Sequence, residues 1–119
     1  MLEIDVFTLF PHWVAWLSEE AAVQRALSGP LTLRFLSYRD YSPLPHAQVD
    51  DAPFGGGAGM LMRVDAVASA IEGAYGGELE SVRAQRRIVA LDPGGRRFDD
   101  AYARELAGEA RITLLCGRY

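Results

Sequence analysis

RIVALDPGGRRFDDAYARELAGEARITLLC, residues 87–116, contains the pattern that decides the fold. Arg87 to Leu91 and Arg111 to Cys116 are apolar runs of strand length. Asp92 to Arg97 is rich in turn residues, and Asp99 to about Gly108 is predicted to form a helix. Together these segments form a βαβ unit, in which the two strands lie parallel and are joined by a right-handed connection.

The residues before this unit add further strands and helices. Leu2 to Phe10 is predicted to be a buried strand, and Leu31 to Tyr38 a strand, because apolar and polar residues alternate in it. Helices are predicted to begin at Pro11, to cover Glu20 to Leu27, and to run from Asp65 to about Tyr75. The fold class is therefore α/β, with a mostly parallel sheet and flanking helices.

Three further expectations concern the core and the surface. Trp13, Trp16 and Leu17 recur at helical spacings, so they are expected to form a stripe that faces the core. Cys116 ends a predicted strand and is expected to be a small core residue. Residues 73–81 are expected to be a polar surface connection.

The size and composition limit the function classes. A chain of 119 residues with 50% hydrophobic residues fits one domain, residues 1–119. Its apolar runs are too short to span a membrane, and its single cysteine excludes an intrachain disulfide framework and a cysteine-based zinc cluster. The first ten residues lack the basic start and long apolar stretch of a signal peptide, so a cytoplasmic location is predicted.

The charges are unevenly divided along the chain. The net charge is −4, but residues 1–82 hold 4 arginines against 11 acidic residues, whereas residues 83–119 hold 8 against 5. The chain has no lysine, so every fixed positive charge is a planar guanidinium, which suits phosphates and base edges. A solvated face or a GC-rich genome also explains this pattern, so charge alone leaves nucleic-acid binding open.

A long segment from Tyr41 to Met60 has no periodicity and contains a glycine-rich stretch, Pro53 to Met60. Loops of this length are usually functional or disordered. The stretch lacks the Gly-Lys-Ser/Thr of a phosphate-binding loop, and the third glycine of a dinucleotide-binding fingerprint is replaced by Met60. His46 lies in the same segment without a nucleophile or metal ligands that would pair with it, so a structural role is expected.

Two segments follow the carboxyl ends of the strands of the βαβ unit. They are Leu91-Asp92-Pro93-Gly94-Gly95 and Gly117-Arg118-Tyr119. Ligands bind parallel sheets beyond these ends, so both segments are expected to border one crevice. Asp-Pro-Gly-Gly is also a good turn by itself, and the residues alone leave both interpretations open.

Several motifs together resemble those of the bacterial tRNA (guanine-N1)-methyltransferases (TrmD). The resemblance covers the whole chain. The motifs are residues 4–11 (IDVFTLFP), 38–40 (YRD), 49–62 (VDDAPFGGGAGMLM), 91–96 (LDPGGR) and 115–119 (LCGRY). Two positions depart from the family pattern. Asp92 stands where a small hydroxyl residue is common, and Ala58 stands where a proline is frequent.

The resemblance implies a fold and an activity. The fold is the amino-terminal part of a trefoil-knotted (SPOUT) methyltransferase domain, with the completion of the knot and a carboxy-terminal RNA-binding domain beyond Tyr119. The implied activity is methylation of N1 of the guanine on the 3′ side of the anticodon of tRNA. The methyl donor is S-adenosylmethionine, and the enzyme acts as a homodimer with a composite active site. A part for Mg²⁺ is left open.

The resemblance also implies two groups of site residues. The cofactor-binding residues are Leu91, Asp92, Pro93, Gly95, Gly117 and Tyr119. The residues that meet the tRNA near the target guanine are Asp50, Gly55, Gly56, Gly57 and Arg118. The catalytic aspartate of the family falls after Tyr119, so these 119 residues are expected to be inactive alone. The alternative is a non-catalytic nucleotide-binding or RNA-binding module.

Overall fold

The computed structural model describes residues 1–41, 50–51, 61–62 and 64–117. The strands in these ranges are β1 (Leu2–Thr8), β2 (Leu31–Ser37), β3 (Asp50–Asp51), β4 (Leu61–Met62), β5 (Arg87–Leu91) and β6 (Arg111–Cys116). The α-helices are α1 (Pro11–Val14), α2 (Ala21–Leu27), α3 (Val64–Tyr75), α4 (Leu79–Gln85) and α5 (Asp100–Ala107). Two 3-10 helices cover Ala15–Glu19 and Tyr38–Tyr41. No helix in these ranges has the length and apolar character that a bilayer-crossing segment requires.

Four parallel strands form the sheet, in the order β2-β1-β6-β5. The predicted βαβ unit is confirmed, and both of its strands have the predicted bounds. Leu91 pairs with Cys116 at the last position of the β5–β6 ladder. The residues that follow these two strands therefore begin side by side at the carboxyl edge of the sheet.

The two faces of the sheet are covered differently. On one face, Phe7 of β1 is fully buried against Tyr38, with ring centroids 5.4 Å apart, and against Ala66 and Ala70 of α3. Because side chains alternate along a strand, Ile4 of β1 points to the opposite face. There it lines a cavity that α5 also borders. The main apolar core thus lies between the sheet and α3.

A buried carboxylate joins the elements on the α3 face. Asp5 of β1 is 3% exposed and accepts hydrogen bonds from Arg34 Nε at 2.8 Å and from the Tyr75 hydroxyl at 2.6 Å. Arg86 donates from Nη2 to the same carboxylate at 3.1 Å and from Nε to the Thr113 hydroxyl at 2.7 Å. This network, Asp5, Arg34, Tyr75, Arg86 and Thr113, satisfies polar groups that would otherwise be costly to bury.

The expectation that the tryptophan stripe faces the core is wrong. Trp13 is 60% exposed, Trp16 is 56% exposed and Leu17 is 38% exposed. Helix α1 ends at Val14, and the chain continues as a 3-10 helix with three residues per turn, so the spacing no longer defines one α-helical face. Neither helix contains a buried residue.

Two helices differ from the expectation. Helix α3 begins at Val64, so Asp65 lies in its first turn, where its carboxylate accepts a hydrogen bond from the Ala66 amide at 3.0 Å. Ile71 of this helix is buried. Helix α3 ends at Tyr75, as predicted, but a further helix, α4, begins at Leu79, within residues 73–81, which are expected to be a surface connection.

The segment expected to be a long loop contains a short antiparallel pair. Asp50 pairs with Met62 and Asp51 pairs with Leu61. The glycine-rich stretch and His46 lie outside the described residues.

Candidate functional site

The loop after β5 is a tight turn organised by Asp92. The Gly95 amide donates to the Asp92 carbonyl at 3.0 Å, and the Gly94 amide donates to the Asp92 side chain (Oδ1) at 2.7 Å. Pro93 lies between the two, at the position where proline favours a turn. A serine or threonine hydroxyl can cap a turn in the same way, although more weakly. The departure at Asp92 therefore preserves the local geometry of the loop.

A glycine is also favoured at the end of this turn. A Cβ atom at Gly95 would lie 3.3 Å from the Asp92 carbonyl oxygen, which is tighter than ordinary van der Waals contact. At Gly95 the turn therefore places backbone atoms, rather than a side chain, at the border of the cavity.

The far side of the loop is held by the start of α5. Asp99 caps the helix, and its carboxylate accepts from the Tyr102 amide at 2.8 Å. Arg96 binds Glu105 at 2.9 Å and lies over the Tyr102 ring, 3.9 Å from its centroid. Hydrogen bonds from Arg87 and Arg96 lower the pKa of the Glu105 carboxyl. These surface contacts order the loop, although each one contributes little to stability by itself.

A cavity of about 770 Å³ opens between this loop, α5 and the sheet. Its floor is apolar and consists of residues that point away from α3: Leu2, Ile4, Val89, Ile112 and Leu114. One wall consists of the loop residues Leu91, Asp92, Pro93 and Gly95. Binding sites for small molecules are typically of this size, with an apolar lining and a few polar groups.

Four of the six predicted cofactor-binding residues therefore border one cavity. Gly117 directly follows β6, next to the loop after β5, because Leu91 and Cys116 are paired. Tyr119 lies outside the described residues. Cys116 is half-buried, and burial raises the pKa of its thiol, which argues against a nucleophilic role.

The residues predicted to meet the RNA are mostly outside the described part. Of this group the structure describes only the backbone of Asp50, in β3. Gly55, Gly56, Gly57 and Arg118 lie outside the described residues.

Three residues of the α5 side were missed in the sequence. Phe98 is 68% exposed, and it lines the cavity with Arg96 and Tyr102. The Phe98 and Tyr102 rings meet edge to face, with centroids 5.9 Å apart. Phe98 and Tyr102 follow the turn at the end of β5, and this position is the sequence signal that could have identified them.

The arrangement suits a ligand that is partly apolar and partly polar. The apolar floor and aromatic side chains favour burial of a flat or aliphatic group, while the loop backbone offers carbonyl and amide groups at its border. Asp92 contributes the only carboxylate among the described residues that line the cavity, and its Oδ1 already accepts from Gly94. The described part of the site can therefore bind and orient a ligand, and its one carboxylate helps to form the turn.

Known proteins share this sequence and fold. A family model for tRNA (guanine-1)-methyltransferase TrmD matches residues 2–119. The tRNA (guanine-N(1)-)-methyltransferase of Symbiobacterium thermophilum is 43% identical over 117 residues, which are 98% of this chain and 47% of the relative. The corresponding protein of Deinococcus radiodurans is 38% identical over 120 residues, which are 100% of this chain and 42% of the relative.

A solved structure agrees with these relatives. The crystal structure of tRNA (m1G37) methyltransferase from Aquifex aeolicus matches with a TM-score of 0.79 and 28% identity. The match covers 98% of this chain and 51% of that one. This chain thus spans about half the length of the curated relatives that it matches. The family suggested by the sequence motifs is confirmed, and the chain belongs to the tRNA (guanine-1)-methyltransferase family.

Proposed function

We propose that this chain forms the methyl-donor site of an enzyme that methylates N1 of the guanine on the 3′ side of the anticodon of tRNA. The observation that carries the proposal is the cavity at the carboxyl edge of the sheet, bordered by Leu91, Asp92, Pro93 and Gly95. The position agrees with the rule that parallel sheets bind ligands beyond the ends of their strands.

The described residues fit S-adenosylmethionine. An adenine ring is flat and weakly polar, so it suits the apolar part of the cavity, whereas its amino group and ring nitrogens suit backbone groups of the loop. The cofactor, when bound, supplies an activated methyl group on a sulfonium. We assign its binding to the four loop residues, to Gly117 and to Tyr119.

The work of this chain in the reaction is binding and alignment. Holding a methyl donor and a guanine in a reactive arrangement removes much of the entropic cost of bringing them together. Methylation at N1 also requires removal of the N1 proton by a base and stabilisation of negative charge that develops on O6. We assign the contacts near the guanine to Asp50, Gly55, Gly56, Gly57 and Arg118.

The base is proposed to come from residues outside this chain. The one carboxylate among the described lining residues, Asp92, is engaged by the Gly94 amide. We therefore expect the 119 residues to be inactive alone, and we propose that the complete active site is assembled in a homodimer in the cytoplasm.

A non-catalytic nucleotide-binding or RNA-binding module is the alternative. The observation that favours it is that Asp92, which helps to form the turn, is the only carboxylate among the described residues that line the cavity. Such a module would bind its ligand without any methyl transfer, even in the product of the complete gene.

Equilibrium dialysis with labelled S-adenosylhomocysteine tests the proposed site. We expect saturable binding that ATP and NAD do not displace. Gly95→Leu places a side chain at the border of the cavity and is expected to weaken binding by at least about tenfold, which corresponds to about 1.4 kcal/mol. Gly108→Leu is the matched control, because Gly108 is the C-cap of α5 and does not line the cavity. Equal binding by the two variants would contradict the assignment.

A further inference from the structure

A second cavity lies at the opposite, amino-terminal edge of the sheet. It has a volume of about 260 Å³ and is bordered by the end of α3, the turn after it, α4, Arg86 directly before β5, and Arg111 at the start of β6. Its polar lining residues are Ser81, Gln85, Arg86 and Arg111. Two of the described lining residues are arginines and none is acidic, although each arginine is also paired with a carboxylate outside the lining, Asp5 or Glu3.

Arg86 presents an unused donor at this cavity. Its side chain is only 8% exposed, and its Nε and Nη2 atoms are engaged by Thr113, Asp5 and the Ile112 carbonyl. Its remaining nitrogen, Nη1, has no acceptor among the described residues. Among the described residues, Nη1 is not one of the buried side-chain atoms that lack a partner, so it retains accessible surface. Because Arg86 lines the cavity, we infer that this nitrogen is reachable from it.

The position of the Arg86 guanidinium is fixed. It lies over the Tyr75 ring, 4.1 Å from the centroid, and it is held by the buried Asp5 carboxylate. A preorganised donor loses little conformational entropy when a ligand binds, so its hydrogen bond is used at low cost. Nη1 is the one guanidinium nitrogen of Arg86 without an acceptor in the described part of the chain, so a ligand oxygen can bind it without displacing a protein contact.

Other donors border the same space. Arg111 donates from Nε to Glu3 at 3.1 Å, while its terminal nitrogens have no acceptor in the described part of the chain. The side chains of Ser81 and Gln85 also have no hydrogen-bond partner among the described residues. Gly76 adopts a positive φ of 71°, which turns the chain between α3 and α4 around the cavity.

We propose that this cavity binds a phosphate group. A hydroxyl, an amide and one guanidinium come from α4 and its C-cap, and the second guanidinium comes from the start of β6; a phosphate offers several oxygens to donors that approach from different directions. The phosphate belongs either to a free small anion or to an RNA backbone. The site is distinct from the cavity of the proposed methyl donor, since the two have no lining residue in common.

Titration with inorganic phosphate, followed by ¹⁵N NMR at constant ionic strength, tests the proposal. We expect saturable shifts of the Arg86 Nε resonance and of the Gly77 and Ser81 amides, and no such shifts with chloride. Arg111→Gln is expected to weaken phosphate binding about tenfold, because a charge-assisted hydrogen bond is lost. Arg104→Gln is the matched control, since Arg104 is exposed on α5, away from this cavity, and should leave binding unchanged.

Each outcome decides the proposal or the source of the phosphate. Absence of saturable shifts, or equal affinities in the Arg111 and Arg104 variants, would overturn the site. If the site binds phosphate, a short uridine oligonucleotide that carries only phosphodiesters identifies the source. Shifts at the same resonances support an RNA backbone, whereas their absence supports a free anion. Circular dichroism of both variants confirms that they are folded.

Discussion

Removal of the buried charge of Asp5 is the most informative perturbation of the fold. Asp5→Asn keeps the shape of the side chain but leaves Arg86, 8% exposed, without its carboxylate. Loss of one partner from a buried ion pair costs about 3–5 kcal/mol. The second partner, Arg34, is 54% exposed, so water screens that pair and its share of the loss is smaller. We therefore expect a loss of about 3 kcal/mol in the free energy of unfolding.

Urea unfolding followed by far-UV circular dichroism at neutral pH measures this loss. Glu3→Gln is the matched control, because Glu3 and its partner Arg111 are both about half-exposed, at 44% and 50%. Its loss should be below about 1 kcal/mol. A loss below about 1 kcal/mol for Asp5→Asn as well would refute the argument that the network depends on this carboxylate.

The same substitution should remove part of the acid sensitivity of the fold. Burial by itself raises the pKa of the Asp5 carboxyl, but hydrogen bonds from Arg34 and Tyr75 and the charges of Arg34 and Arg86 outweigh it. The folded-state pKa therefore lies below the ordinary value of 3.8. A lowered pKa contributes stability that is present above the ordinary pKa and is lost as the pH falls through the folded-state pKa. The difference in unfolding free energy between wild type and Asp5→Asn should thus shrink below about pH 4.

Three further predictions concern single residues. Asp92→Ser should preserve the turn, so in equilibrium dialysis it should bind S-adenosylhomocysteine nearly as well as wild type. Asp92→Ala loses the hydrogen bond to the Gly94 amide, about 1 kcal/mol, and should therefore bind about fivefold more weakly. Asp99→Ala removes the α5 cap and should lower the free energy of unfolding in urea by about 1 kcal/mol; no loss would contradict the capping role. Trp16→Ala should cost less than about 1 kcal/mol in the same assay, whereas Phe7→Ala should cost about 3–5 kcal/mol, because only Phe7 is fully buried. Equal losses for the last two variants would show that Trp16 is packed.

The best-predicted part of the fold is the βαβ unit. Its strands are continuous apolar runs bounded by turn residues, and its helix begins at a capping aspartate, so local chemistry marks every boundary. The loop of the candidate site was predicted from a general rule, since ligands bind parallel sheets beyond the carboxyl ends of their strands.

Other features depend on contacts that local patterns do not contain. Asp5 reaches Arg34, Tyr75 and Arg86 across 29, 70 and 81 residues of sequence. Helix α4 has a single buried residue, Val82, so it lacks the apolar stripe that would have indicated it.

The exposure of the two tryptophans and the cavity bordered by Arg86 and Arg111 were not predicted, because neither follows from a local sequence pattern. The change from α-helix to 3-10 helix after Val14 alters which side chains share a face. The cavity proposed to bind phosphate is lined by residues between 75 and 86 together with Arg111, and neither part carries a recognisable phosphate-binding motif.

Methyl transfer from labelled S-adenosylmethionine tests the central claim most directly. The substrate is a tRNA with guanine on the 3′ side of the anticodon, and the same tRNA with adenine at that position is the control. The assay compares these 119 residues with the product of the complete gene. We predict guanine-dependent labelling by the complete product and none by the 119 residues alone. Labelling by the 119 residues alone would contradict the assignment of the base to residues outside this chain. Absence of labelling by the complete product would contradict the proposed methyltransferase activity itself.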